Sequence, residues 1–303
     1  MNELELLRKG SSKNIYRADK ESLVFKFTDN FSVFDVGRSP FPIPGKGEAI
    51  CACAVQSYLI AESVGIPTCF IEQVSDTMVR IREATLITDR PLTATDENCL
   101  VPAEWIYRLH VAGSIDRDFR SGKKIPENYG LPAGIMPAVG TPFPYPIHML
   151  TTKWEAQDRE LSEEEQLHLC GMTVKDRDHY WSMIDRYTGA LSYHLAKCGY
   201  AMLDGKLEMI KRTGSQKEFG DVFGTPDEDR PVPLSLLKNG KIEHHSKEYV
   251  RQIYIEMGYK DEVDKARAAR LPDPPYPQLS EEVIAEISRR YSLFAKAYAS
   301  VKI

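Results

Sequence analysis

The run 201–210, AMLDGKLEMI, constrains this chain more than any other stretch. Its apolar residues suit a buried strand, yet Asp204, Lys206 and Glu208 fall at every second position, so a strand aims all three to one side. A fold that contains it must bury one face of that strand and find a use for acid, base and acid on the other. Alternation alone leaves two readings open. Either the outer face is simply solvated, or it belongs to a metal-nucleotide site in which carboxylates hold Mg2+ and a lysine offsets phosphate charge.

The second reading needs more phosphate-binding groups, and three stretches offer them. Lys9-Gly10-Ser11-Ser12-Lys13, between two strand-like runs, can fold over phosphates with its backbone N–H groups and set Lys13 against them. Taken by itself it equally fits an ordinary hairpin turn. FGDVFGTPDEDRP supplies Asp221, Asp227 and Arg230 in a loop shaped by glycine and proline, for which a solvated acidic turn is the plain alternative. LVPAEWIYRLHVAGS sets Glu104 and Arg108 four residues apart. On a helix these two make a surface ion pair; on a strand they share a face. An arginine followed by a small-residue turn that ends in the Ser114 hydroxyl suits a phosphate monoester.

At 303 residues the chain can form one large domain or two smaller ones, and 42% hydrophobic residues suffices for a substantial core. A net charge of -5 and a pI near 5.9 exclude the strongly basic balance of a general nucleic-acid binder. No apolar run reaches bilayer length, and MNELELLRKG lacks the basic start and apolar run of a secretory signal, so a cytoplasmic protein without membrane or nucleic-acid partners is expected. The six scattered cysteines are expected to be free and buried.

The opening 88 or so residues read as a small lobe: strand-like runs around Gly10 and Asp19, a helix over 48–65 closed by Gly65, then strand character over 69–87. The proline- and glycine-rich stretch 131–154 predicts a long ordered loop. Ser162 and Glu165 have capping-box spacing, and Ser280 caps a final helix. Ile184, Tyr187, Leu191, His194, Leu195 and Cys198 form one helical stripe ended by Gly199.

On these residues the sequence resembles the SAICAR synthetase, or phosphoribosylaminoimidazole-succinocarboxamide synthase, family. One family signature, Pro-x-Glu-x-x-x-Arg-x-x-x-Ala-Gly-Ser, stands as Pro102, Glu104, Arg108 and Ala112-Gly113-Ser114; the other, Asp-x-Lys-x-Glu, is Asp204, Lys206 and Glu208. In the same order stand Ser32-Val33-Phe34-Asp35, IPGKGE over 43–48, Thr151-Thr152-Lys153, TPD followed by Arg230, and KEYVR over 247–251, so the similarity spans nearly the full chain.

The resemblance implies an α+β, two-lobed fold, with an N-terminal antiparallel sheet lobe (1–88), a larger ATP-grasp-like α+β lobe (89–303) and ATP between them. It implies an ATP-dependent amide-forming ligase of de novo purine biosynthesis, which activates the carboxylate of the ribonucleotide CAIR as an acyl phosphate and joins it to L-aspartate, giving SAICAR, ADP and phosphate. By position, Gly10, Ser11, Ser12 and Lys13 with Glu208 and Asp221 serve ATP and its Mg2+, the two acids being the metal ligands. Arg108, Ser114 and Arg230 hold the ribonucleotide phosphate, and Asp204, Lys206 and Asp227 lie beside the reacting groups.

The chain also departs from the family pattern. The Gly-Lys-x-Lys loop is Gly10-Ser11-Ser12-Lys13, the Asp-Arg before Ser32 is Asp29-Asn30, and the His-Asp after Lys153 is Arg159-Glu160 in a shortened loop. The Asp-Glu pair before the TPD motif is Asp221-Val222, Pro231 replaces an aromatic residue, and 82–100 lengthens the approach to Pro102. Two alternatives stay open: a paralogous ligase using another amine or carboxylate, and a nucleotide-binding protein without turnover. Joint retention of Lys13, Asp204, Lys206, Glu208 and Asp221 speaks against the last.

Overall fold

Short alternating runs separated by turn residues fold at the start of the chain into strands. In the computed structural model, which describes residues 4–155 and 158–303, β1 (Glu5–Lys9), β2 (Lys13–Arg17) and β3 (Ser22–Phe27) pair antiparallel, with Gly10-Ser11-Ser12 joining the first two. Strands β4 (Phe70–Ser75) and β5 (Met78–Arg82) complete a five-stranded sheet in the order β1-β2-β3-β5-β4. Between β3 and β4 lies α1 (Lys46–Ser63), which begins two residues before the expected Glu48 and turns away through left-handed Gly65.

A second sheet contains β6 (Cys99–Leu100), β7 (Ala103–His110), β8 (Pro142–Thr152) and, after β9 (Tyr200–Met202), β10 (Asp204–Lys211) and β11 (Lys217–Gly220). Its order is β11-β10-β7-β8, with β6 also on β10, while β9 pairs with β12 (Pro231–Pro233). The stretch 131–154 corrects the expectation of a loop, because from residue 142 it is the 11-residue strand β8. Its Pro142, Pro144 and Pro146 are tolerated because β8 is the outer strand, where an N–H on the free side has no ladder partner to lose.

The remaining helices are α2 (Ser114–Arg120), α3 (Glu163–Cys170), α4 (Val174–Lys197), α5 (Leu234–Lys238), α6 (Lys247–Glu256), α7 (Tyr259–Ala268) and α8 (Glu281–Ser300). Ser162 and Glu165 form the expected capping box of α3, and Ser280 accepts from the Val283 N–H at the start of α8. A second box, Thr173 with Asp176, starts α4. The α4 stripe from Ile184 to Leu195 is buried, with Cys198 half-buried at its end. One continuous core runs from α1, α4 and α8 to the inner faces of both sheets, and all six thiols are free, five of them buried within it or beside it. Backbone bonds from Cys69 N–H to Phe219 O (2.8 Å) and from Phe219 N–H to Pro67 O (2.9 Å) tie the first sheet to the second. Among the described residues no helix is long and apolar enough to cross a membrane.

The Thr173 box predicts a measurable cap contribution. Thr173→Ala should cost about 1 kcal/mol and lower Tm by roughly 2–4 °C in thermal denaturation. An unchanged Tm would mean that packing alone fixes the entry of α4.

Candidate active site

The register of β10 on β7 sets Asp204 opposite Arg108 and Lys206 opposite Ile106, so Asp204, Lys206 and Glu208 share one face with Glu104 and Arg108. That face is not a solvated exterior. Asp204 is 4% exposed and Glu208 8%, and each charge on it is matched. Arg108 donates through Nη1 to Asp204 Oδ2 and through Nη2 to Ser114 Oγ, both at 2.8 Å. Arg230 Nε approaches the other Asp204 oxygen at 3.2 Å, so two guanidinium groups bracket one carboxylate. Gly113 makes this possible, because a Cβ there would overlap the Arg230 guanidinium.

Further along the face, Lys206 Nζ lies 2.7 Å from Glu104 Oε1 and 3.2 Å from Glu228 Oε2. Lys153, just past β8, pairs with Glu208, and Lys13 of the Gly10 loop pairs with Asp221. Asp227 is held on both oxygens: fully buried Lys46 sits at 2.5 Å from Oδ2, and the Tyr291 hydroxyl donates to Oδ1 at 2.9 Å. The Tyr107 hydroxyl, on the core face of β7, donates to buried Asp229 at 2.5 Å.

Burial and charge act against each other here. Desolvation disfavours the Lys206 ammonium, but Glu228, Glu104 and Glu208 carry its pKa well above the usual lysine value. Burial, then the neighbouring Asp221 charge, pushes Glu208 up against the pull of three lysines. Burial also opposes ionisation of Glu228, yet Lys206, Lys247 and Lys13 hold it at about 2. Burial pushes Asp229 well above the carboxylate range, with Glu228 adding to the shift and the Tyr107 hydrogen bond opposing it.

Two cavities meet on this face. One, of about 520 Å3, is walled by Gly10, Ser11, Ser12, Lys13, Glu208 and Asp221 and by apolar Ile15, Leu23, Phe25 and Ile210. The other, of about 420 Å3, is polar and contains Arg108, Asp204, Lys206, Asp227, Arg230 and Lys247. Asp35, Glu104, Lys153, Lys206 and Glu228 border both. The candidate residues named from the sequence are thus brought together, Ser114 reaching the second cavity through Arg108.

Several members of the site have no role that the sequence by itself points to. Glu104, Lys153 and Asp35 stand inside quoted motifs, so the signal was present, but nothing local shows that they border both cavities. Glu228 follows Asp227 directly, and only the fold turns it toward Lys206.

Among the described residues no group of three or more His, Cys, Asp or Glu side chains could hold a metal ion by itself. Glu208 and Asp221 are two crowded carboxylates, each carrying a lysine as counter-charge. They fit a hard cation that takes few protein ligands and completes its shell with phosphate oxygens and water, as Mg2+ does.

The sequence model of the family described as SAICAR synthetase matches residues 6–266. A phosphoribosylaminoimidazole-succinocarboxamide synthase of Thermoplasma volcanium is 32% identical over 290 residues, covering 96% of this chain and 97% of that protein. One of Nitrosopumilus maritimus is 26% identical, covering 95% and 96%. Among solved structures, a SAICAR-synthase from Saccharomyces cerevisiae complexed with SAICAR superposes with a TM-score of 0.73 over 99% of this chain and 96% of that one, at 17% identity. A SAICAR synthetase in complex with ADP gives 0.64 over 94% and 97%, at 20% identity. The structural likeness establishes the α+β fold, and from the whole-chain sequence match it follows that this chain belongs to the SAICAR synthetase family of ATP-dependent, amide-forming ligases of purine biosynthesis.

Proposed function

We propose that the chain joins the carboxylate of CAIR to the amine of L-aspartate through an acyl phosphate, converting ATP to ADP and phosphate. The wall shared by the two cavities carries this reading, because phosphoryl transfer between two substrates needs them to meet at one charged partition. The larger cavity, with an apolar side for a base and the Gly10–Lys13 loop for phosphates, takes ATP. The polar one takes CAIR, whose phosphate suits Arg108, Arg230 and Ser114. In this reading the first sheet belongs to an N-terminal lobe (1–88) and the second to a larger lobe (89–303), with ATP between them.

A carboxylate oxygen of CAIR attacks the γ-phosphorus, and the bond from phosphorus to the ADP oxygen breaks. The amine then attacks the acyl carbon, phosphate leaves with the former carboxylate oxygen, and the amine proton ends on the departing phosphate. Lys206, at the partition, balances charge on the oxygens in transit, while the arginines fix the acid by its distant phosphate. Asp204 orients both arginines, and Asp227, anchored by Lys46 and Tyr291, fixes the loop that carries Arg230. Mg2+, held by Glu208 and Asp221, would neutralise phosphate oxygens. Such an enzyme works on small molecules in the cytoplasm.

One observation favours a second reading, in which the amine is not aspartate. Arg159, where the family has histidine, turns to Glu155 at 3.1 Å and Glu165 at 2.8 Å and is not among the described residues lining either cavity.

Purified protein with ATP, Mg2+ and CAIR should release ADP in step with added L-aspartate; faster release with another amine would establish the second reading, and none with any amine would leave a nucleotide binder. Arg230→Ala should raise KM for CAIR by about 10- to 100-fold, the value of a charged hydrogen bond, without moving KM for ATP; an unchanged KM for CAIR would remove Arg230 from the phosphate site. Glu208→Gln keeps size and one acceptor oxygen but loses charge, so it should abolish most turnover and raise the Mg2+ concentration needed for the rest. Near-normal turnover at limiting Mg2+ would show that Glu208 is not a metal ligand.

A further inference from the structure

We propose that residues 267–276 form a strap that fixes Asp35 at the junction of the two cavities, with Tyr276 and Arg267 as positioning residues for the reaction. The kinetic part of this inference rests on the function proposed above.

Asp35 borders both cavities and the opening beside Gly10 and Ser11. Among the described residues it forms no ion pair, so its carboxylate is available to a donor group on a substrate, and its place is set through the backbone. That backbone is unusual. Phe34 and Asp35 are consecutive non-glycine residues in the left-handed region, with φ of 55° and 56°. Such a turn persists only where its surroundings over-determine it.

The strap supplies that constraint. The Tyr276 hydroxyl accepts the Val33 N–H at 3.1 Å and can donate to Gly37 O at 3.0 Å or Val33 O at 3.2 Å, binding the turn on both sides of Asp35. Arg267 Nη2 donates to Phe34 O at 2.8 Å, while its Nε and Nη2 grip Asp273 at 2.8 and 2.9 Å. The strap is itself immobilised. Its prolines restrict the backbone, the Tyr259 hydroxyl donates to Pro274 O at 2.7 Å, and just past the strap the Tyr254 hydroxyl donates to Pro277 O at 3.2 Å. The Tyr276 ring is wedged among Phe31, Tyr254 and Tyr259, at centroid separations of 5.7, 5.6 and 5.4 Å, so its hydroxyl cannot swing away. On the opposite flank Arg38 donates to Asn30 Oδ1 at 2.5 Å and reaches toward Gly10 O, joining the same turn to the Gly10 loop.

The test combines amide hydrogen exchange with kinetics on the full chain. Tyr276→Phe keeps the ring and removes the hydroxyl. Amides 33–37 should exchange about tenfold faster or more, with other protected amides unchanged. The kcat/KM for CAIR should fall by about tenfold, the scale of one buried hydrogen bond. Asp35→Asn should lower it as well, and the Tyr276→Phe/Asp35→Asn double variant should be no slower than Asp35→Asn alone, because the strap acts through Asp35. Arg267→Lys, which keeps a donor for Phe34 O, should recover most of what Arg267→Met loses. Unchanged exchange at 33–37, or losses that multiply in the double variant, would overturn the strap. A wild-type protein without turnover would instead refute the proposed reaction, and the exchange data would still decide the strap.

Discussion

Everything at the site depends on the register in which β10 lies against β7. A slip of one residue would turn every side chain of β10 to the other face. The opposite faces of these strands carry Trp105, Tyr107, Leu207 and Met209, all fully buried. A slipped β10 would turn Leu207 and Met209 out of the core, at about 1.5–3 kcal/mol each, while forcing its charges in beside Trp105 and Tyr107 of β7. The core therefore locks the register. The charged face, with Asp204 opposite Arg108 and Lys206 between Glu104 and Glu228, is its necessary reverse side.

That reverse side survives burial because its charges are matched locally. Leaving one member of a buried pair without its partner costs about 3–5 kcal/mol, and around this face the charges stand in pairs: Lys13 with Asp221, Lys153 with Glu208, Arg108 and Arg230 with Asp204. The same arrangement keeps cations fixed and partly desolvated beside two cavities, where a phosphate gains more from them than it would from mobile charges in water. Strain concentrates in the same place. Phe34, Asp35 and Asp221 all have positive φ, a cost of about 1–3 kcal/mol each, borne where the backbone must aim an acid at a cavity.

How much of this could be read from the sequence depends on whether the determinant was local. The alternation of Asp204, Lys206 and Glu208 is a strand property and was legible, as were the capping box at Ser162 and the stripe of α4, each set within a few residues. The family signatures carried the candidate residues, whose convergence the structure then displays. The strand β8 was not legible, because its prolines argue against a central strand and sequence alone does not reveal that β8 lies at the sheet edge. Partnerships across long chain separations were equally hidden: Lys46 with Asp227, Tyr107 with Asp229, and Tyr276 with the Phe34 turn have no local signal and exist only once the core brings their elements together.

In the proposed reaction the acid in the polar cavity takes the γ-phosphoryl group across the wall at Lys206 before the amine reacts. This step is tested most directly by supplying CAIR labelled with 18O in its carboxylate, together with ATP and the amine, and weighing the inorganic phosphate released. An acyl phosphate requires that one carboxylate oxygen leave with the phosphate, so phosphate carrying a single 18O atom is expected for each amide formed. Amide formation accompanied by unlabelled phosphate would contradict it.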